Sequence, residues 1–173
     1  MTHRTAVVVG NPKPGSRTLA AARHLARGLD DREPDLVVDL ATLGPALLDW
    51  EEPDIAALVE AVADVDLVVV ASPTYKATYT GLLKLFLDRF PAGRLRGVAV
   101  PLMLGAGPHH ALAPHVALAP LLSHLGAVVP EGLYVLDQQY DDPAAYAEWL
   151  TRTRPLVASL LAQRQHEPVR RTA

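Results

Sequence analysis

The chain contains no cysteine. That removes disulfides, thiol nucleophiles, thiolate-held iron–sulfur clusters and every cysteine-based zinc site, so any redox chemistry has to be borrowed from a cofactor. It also lacks a block of basic residues apart from a short stretch at the carboxyl end, and its formal net charge is only −3. Without an electrostatic footprint, neither a nucleic acid nor a membrane surface is an expected partner. The longest apolar runs fall well short of a membrane span. The amino-terminal run Ala6-Val7-Val8-Val9 is too short for the core of an export signal and meets Gly10 and Pro12 with no cleavage site. These absences predict a soluble cytoplasmic protein. No internal repeat or low-complexity segment is present. Lysine is scarce too: beside 13 arginines there are only Lys13, Lys76 and Lys84, each in a stretch singled out below on other grounds.

What is present is apolar and regularly spaced. Half of the 173 residues are hydrophobic, enough for a sizeable core, and no composition shift marks a boundary. Residues 1–163 are therefore expected to form one domain and residues 164–173 a frayed tail. Residues 5–9 read as a short, continuously apolar strand of the kind buried in a parallel sheet. Leu19, Ala22, Leu25, Ala26 and Leu29 then recur at helical spacing opposite Arg23, His24, Arg27 and Asp30. A second strand is expected over 36–40, and Pro53 and Asp54 open a helix carrying Ile55, Leu58, Val59 and Val62. A third strand over 66–71 leads through a loop to a helix over about 80–90. The fourth strand covers 97–104, where Pro101 marks a bulge or the limit of regular pairing. The next helix, over 111–125, contains Pro120, which predicts a kink or a π-bulge. A fifth strand within 128–136 and a helix over 143–163 complete the pattern. Strand and helix alternate five times, which argues a doubly wound α/β fold. Five strands favour a flavodoxin-like parallel sheet of order 2-1-3-4-5, with helices on both faces, over the six-stranded dinucleotide fold.

The loop after the first strand is Gly10-Asn11-Pro12-Lys13-Pro14-Gly15-Ser16-Arg17-Thr18. A loop that leaves a strand and opens a helix offers free backbone N–H groups and the positive end of the helix dipole to an anion. Lys13, Ser16, Arg17 and Thr18 add donors suited to a phosphate, and charged hydrogen bonds contribute roughly 1.5–3 kcal/mol each. The alternative is an ordinary turn with Ser16 or Thr18 as its cap; two prolines and several donors exceed what such a turn needs. A Walker A motif is excluded because Ser16-Arg17 stands where lysine and a hydroxyl are required. The Gly-x-Gly-x-x-Gly fingerprint is excluded because Pro12 takes the place of its second glycine. Asp39, at the end of the second strand, reads either as a ribose-binding acid or as a plain surface aspartate.

The loop after the third strand supplies the most specific signal. Pro73-Thr74-Tyr75-Lys76-Ala77-Thr78-Tyr79-Thr80-Gly81-Leu82-Leu83-Lys84 looks like the Pro-x-Tyr-x-x-x-x-x-Gly-x-Leu-Lys signature of the NAD(P)H-dependent FMN reductases of the flavodoxin-like superfamily. The chain resembles that family over residues 7 to about 140, and most of all the reductase component of two-component alkanesulfonate monooxygenases. The family's first loop usually reads Gly-Ser-x-Arg-x-x-Ser. Here Asn11 replaces the serine and Lys13 the arginine, which keeps the charge but gives up the bidentate fork and weakens the expectation of tight FMN retention.

The resemblance implies an enzyme that moves a hydride from NADPH or NADH to N5 of FMN, with no side-chain acid required. It implies that Asn11, Lys13, Ser16, Arg17 and Thr18 hold the phosphate and that Pro73, Thr74, Tyr75 and Lys76 wrap the isoalloxazine and ribityl side. Gly105, Ala106, Gly107 and His110 would follow the ring's other edge. From the residues alone Tyr75 could also be a plain packing aromatic. The resemblance also implies a homodimer or homotetramer, with a π-bulge at the tetramer interface, here in the region 114–120 with His115 or Val116 where an aromatic is expected. The nearly all-apolar set Leu82, Leu83, Leu85, Phe86 and Leu87 fits a helix buried on more than one side. Reduced flavin would go to a partner monooxygenase, or would stay bound and reduce a quinone or azo compound. A non-catalytic flavodoxin-like electron carrier is a further alternative, against which the low net charge counts, and a nucleotide-binding kinase is another, weakened by the failed Walker motif. His109, His110, His115 and His124 lack both ligand spacing and a carboxylate to complete a set, so no metal is expected.

Overall fold

The computed structural model describes residues 3–166. Five parallel strands form one sheet in the order β2-β1-β3-β4-β5: β1 (Thr5–Val9), β2 (Leu36–Asp39), β3 (Leu67–Pro73), β4 (Val98–Gly105) and β5 (Leu133–Leu136). The helices are α1 (Arg17–Asp30), α2 (Pro53–Ala63), α3 (Gly81–Leu87), α4 (Ala119–His124) and α5 (Ala144–His166). This is the flavodoxin-like order that the alternation predicts.

Period-two alternation, with both faces covered, explains why β1, β3 and β4 are apolar apart from Thr5 and Ser72. Val7, Val9, Leu67, Val69, Ala71, Val100 and Leu102 face α1 and α5, where Leu25, Tyr146 and Trp149 meet them. Ala6, Val8, Val68, Val70, Ala99 and Met103 face α2, α3 and α4, represented by Ile55, Val59, Phe86 and Leu122. Each large side chain removed from water this way contributes about 1.5–3 kcal/mol. With both faces covered, the carboxyl ends of the strands are left for a ligand. No described helix is long and apolar enough to cross a membrane.

Three details sharpen the sequence reading, among them the π-turn expected at Pro120, and one departs from it. Pro101 causes no bulge, because β3 and β4 stay in register from Leu67↔Val98 to Pro73↔Leu104. Ala99 donates its N–H to Val128 O at 3.0 Å, so Pro101, two residues on, turns the same way toward β5. Continuous β5 pairing begins only at Leu102↔Leu133, and Pro101 marks that limit. β5 is correspondingly shorter than 128–136, with Val128 making an isolated bridge to Val98. The helix expected over 111–125 is broken: a 3-10 turn at Pro108–His110 and a π-helical turn at Pro114–Leu118 precede α4. Ala119 donates to Pro114 O, five residues back. Pro120 has no N–H for the carbonyl four residues before it, and the wide turn lies immediately ahead of it. Finally, α5 continues through residues 164–166; the rest of the expected tail lies outside the described residues.

Candidate active site at the carboxyl ends of the strands

The strand order reverses between β1 and β3, and open α/β sheets bind ligands in the crevice at such a point. The loop after β1 is built around Asn11. Its Nδ2 donates to Thr18 Oγ1 at 2.9 Å, and its Oδ1 accepts from Lys13 N at 2.9 Å. Ser16 caps α1, its Oγ accepting from Leu19 N at 3.3 Å, as Ser and Asn caps commonly do. Gly15, at φ +61°, makes the left-handed turn that glycine allows without a steric cost. Its N–H goes to Asp39 Oδ2 at 2.9 Å.

These bonds decide what is left over. The backbone N–H groups of Ser16, Arg17 and Thr18 have no protein acceptor among the described residues, and together they form the first turn of α1, pointing out of the sheet end. Lys13 and Arg17 are exposed. Lys13 has no ion pair among the described residues, and Arg17 makes only a 3.4 Å contact to Asp137 O. Three adjacent N–H donors, a helix dipole and two uncommitted cations suit an anion with several oxygens. The side chains of Ser16 and Thr18 already accept hydrogen bonds within the loop, and Asn11 is occupied at both ends of its amide. Asp39 is neither a free acid nor an idle surface residue: its second oxygen accepts from Ala41 N at 3.3 Å. The signal that would have found this tie is the strand order itself, which sets the end of β2 beside the loop after β1.

The loop after β3 is fastened at its base and strained at its tip. Thr74 N donates to Leu104 O at 2.6 Å, which joins this loop to the end of β4. Thr80 N donates to Ser72 Oγ at 3.0 Å. Thr80 Oγ1 donates to Gly10 O at 2.5 Å and accepts from Leu83 N at 3.2 Å, so one buried hydroxyl both caps α3 and joins the first loop to the second. A Cβ on Gly10 would lie 2.3 Å from Leu83 Cβ, which seats the start of α3 directly on the first loop. Tyr75 and Thr78 exchange N–H···O bonds of 2.9 and 3.2 Å. Between them Lys76 and Ala77 adopt φ +52° and +69°, the mark of a type I′ turn usually made with Asn or Gly. Pro73 is buried, Thr74 half-buried, and Tyr75 and Lys76 exposed.

The loop after β4 is open. Gly105 is buried, Ala106 and His110 are exposed and Gly107 is half-buried. The N–H groups of Ala106 and Gly107 have no protein acceptor among the described residues. Tyr134 of β5, which the sequence reading passed over, donates its hydroxyl to Gly107 O at 2.6 Å. Burial pushes the Tyr134 phenol up, the Asp137 carboxylate adds to the shift, and the Thr74 hydroxyl acts against it; the group stays a neutral donor. His109, His110, His115 and His124 join no cluster of three or more metal-ligating side chains among the described residues. The three loops thus follow the neighbouring strands β1, β3 and β4 at one end of the sheet, with three free N–H groups at the start of α1 and two in the loop after β4.

The sequence profile of the family described as NADPH-dependent FMN reductase matches residues 3–142. An NADH-dependent FMN reductase, SfnF, of Pseudomonas putida is 35% identical over 148 residues, covering 80% of each chain. An FMN reductase (NADPH) of Escherichia coli strain K12 is 34% identical over 147 residues, covering 80% of this chain and 76% of the relative. Among solved structures, the apo form of an NADH:FMN oxidoreductase, EMOB, superposes with a TM-score of 0.81 at 29% identity, covering 96% of this chain and 92% of that one. The sequence agreement spans all three loops, and the fold agrees along nearly the whole length: the chain belongs to the NADPH-dependent FMN reductase family, NAD(P)H:flavin oxidoreductases with a flavodoxin-like fold.

Proposed function

We propose that the crevice binds FMN with its phosphate on the loop after β1 and its ring between the loops after β3 and β4, and that the protein supplies reduced flavin to a partner monooxygenase. The observation that carries this reading is the cradle of three unpaired N–H groups at Ser16, Arg17 and Thr18 beside Lys13 and Arg17. When bound, FMN supplies the chemistry, accepting a hydride from NADH or NADPH. The protein's part is to bind, orient and exclude water. Lys13, Arg17 and the α1 N-terminus neutralise the phosphate, with Asn11, Ser16 and Thr18 holding that loop in shape and presenting their remaining hydrogen-bonding atoms. Pro73, Thr74, Tyr75 and Lys76 form one wall. Gly105, Ala106 and Gly107 let the backbone approach a flat ring, and His110 stands at the rim.

Delivery of reduced flavin requires that FMN leave. Lysine at position 13 in place of a bidentate arginine favours a looser grip, and the Lys13 side chain is exposed. A homodimer or homotetramer finds its support around the π-turn rather than in α3. Leu112 and Val116, four residues apart, are each 68% exposed, whereas Leu82 is partly covered by its own chain.

The test is NADPH and NADH oxidation by the purified protein with and without added FMN. Oxidation that depends on added FMN supports transfer. Oxidation by a protein that keeps FMN through gel filtration replaces it with a resident-flavin quinone or azo reductase. No oxidation in either case leaves a carrier and sinks the enzyme reading.

A further inference from the structure

Tyr134 lies on β5 opposite Met103 of β4, yet its hydroxyl reaches past the end of β4 to Gly107 O. It does so through space that only glycine leaves open: a Cβ on Gly105 would lie 2.1 Å from Tyr134 Oη. The same phenol adjoins the Thr74 hydroxyl. Thr74 Oγ1 is buried and closes no hydrogen bond of good geometry among the described residues, although Thr74 N is firmly bound to Leu104 O at 2.6 Å. A buried hydroxyl left unpaired costs about 1–3 kcal/mol unless a ligand or water satisfies it. Tyr134 has one proton, and Gly107 takes it, so toward the Thr74 hydroxyl the phenol offers only a lone pair.

We propose that Tyr134 is a positioning residue for the flavin ring: its phenol fixes the backbone of residues 105–107 and leaves the Thr74 hydroxyl and the Ala106 and Gly107 N–H groups free for the polar edge of the isoalloxazine. The inference rests on the FMN reading of the crevice and names what aligns its ring end. It follows from three facts at one place: a glycine that makes room, a carbonyl held from the neighbouring strand, and an orphaned hydroxyl across from it. The phenol keeps its proton through the working pH range, so the tie does not loosen on titration.

The test is flavin titration of wild type, Tyr134→Phe and Lys13→Ala, using FMN and riboflavin as probes and fluorescence quenching as the readout. Tyr134→Phe should weaken both flavins alike, by roughly tenfold for one misaligned hydrogen-bonding group, with the melting temperature of the free protein little changed. The midpoint potential of bound flavin should fall as donors to the reduced ring are lost. Lys13→Ala should weaken FMN alone. If wild type binds both flavins and Tyr134→Phe binds them equally well with the same potential, the positioning role is overturned. If wild type binds no FMN, it is the reading of the crevice that fails. Should Tyr134→Phe not fold, Thr74→Val carries the test, since it removes the orphaned hydroxyl without touching the tie. Unchanged ring affinity in that variant overturns the proposal, and a matched loss for the two flavins supports it.

Discussion

The loops after β1 and β3 leave adjacent strands, open helices at the same end of the sheet, and are held in opposite ways. In the first, left-handed backbone is confined to Gly15, and the shape comes from side chains: Asn11 to Thr18 and Lys13, Asp39 to Gly15, Ser16 to Leu19. In the second, side chains fasten only the base, through Ser72 and Thr80, and the tip places two non-glycine residues at positive φ. A left-handed L-residue costs roughly 1–2 kcal/mol. An anion cradle needs fixed N–H directions, which a network of short bonds provides without strain. On the proposed FMN reading the tip of the second loop would stand against a flat ring, and it is there that strain is retained.

The largest expected effect sharpens the chemical side of this contrast. Lys13→Ala combined with Arg17→Ala should weaken FMN by at least about 100-fold, since each of the two charged hydrogen bonds contributes roughly 1.5–3 kcal/mol, and should leave riboflavin nearly unchanged. Isothermal titration with the two flavins measures it. Equal losses would mean that the first loop does not hold the phosphate.

Thr80→Val comes next, because it cuts the link between the loops. The isosteric exchange removes the cap of α3, about 1 kcal/mol, and leaves Gly10 O buried without its donor, about 1–3 kcal/mol more. Urea unfolding should show a loss of about 2–4 kcal/mol; a loss below 0.5 kcal/mol, roughly the lower bound of a cap, would show that the loops are held independently. Asn11→Ala should cost less, about 1–2 kcal/mol for two exposed or half-buried bonds. It should also loosen FMN modestly, as the N–H cradle loses its brace. A variant as stable as wild type would remove the distinction between a side-chain-braced loop and a strained one.

The fold was legible in the sequence because each core strand is covered on both faces, so that residues 5–9 and 67–70 had no polar alternative to burial. The first loop was legible for a related reason: prolines, glycines and donors cannot be hidden in regular structure. Three features were not. Tyr134 occupies an alternating strand position at which an aromatic is ordinary, and its role exists only because Gly105, 29 residues earlier in the chain, leaves room for its hydroxyl. Asp39 works through a neighbour set by strand order rather than by spacing. The turn at Tyr75 and Thr78 carries Lys76-Ala77 where the sequence signal for that geometry is Asn-Gly. Local chemistry cannot announce a conformation that the surrounding structure imposes against it.

That turn supplies the smallest effect. Ala77 has no polar side chain and no proposed part in holding a ligand, so glycine at 77 alters the backbone energetics alone. Relief of a left-handed L-residue is favourable by about 1–2 kcal/mol, and the greater freedom of glycine in the unfolded chain takes back about 0.5–1 kcal/mol. Ala77→Gly should therefore stabilise the protein by about 0.5–1 kcal/mol, visible as a raised urea midpoint with an unchanged slope. Flavin affinity should hold, because the two Tyr75–Thr78 bonds keep the turn closed. The matching exchange in the first loop, Gly15→Ala at φ +61°, should move stability the other way, since it introduces the strain that glycine there avoids. If Ala77→Gly destabilises instead, the tip is not strained and the two loops are held by the same means.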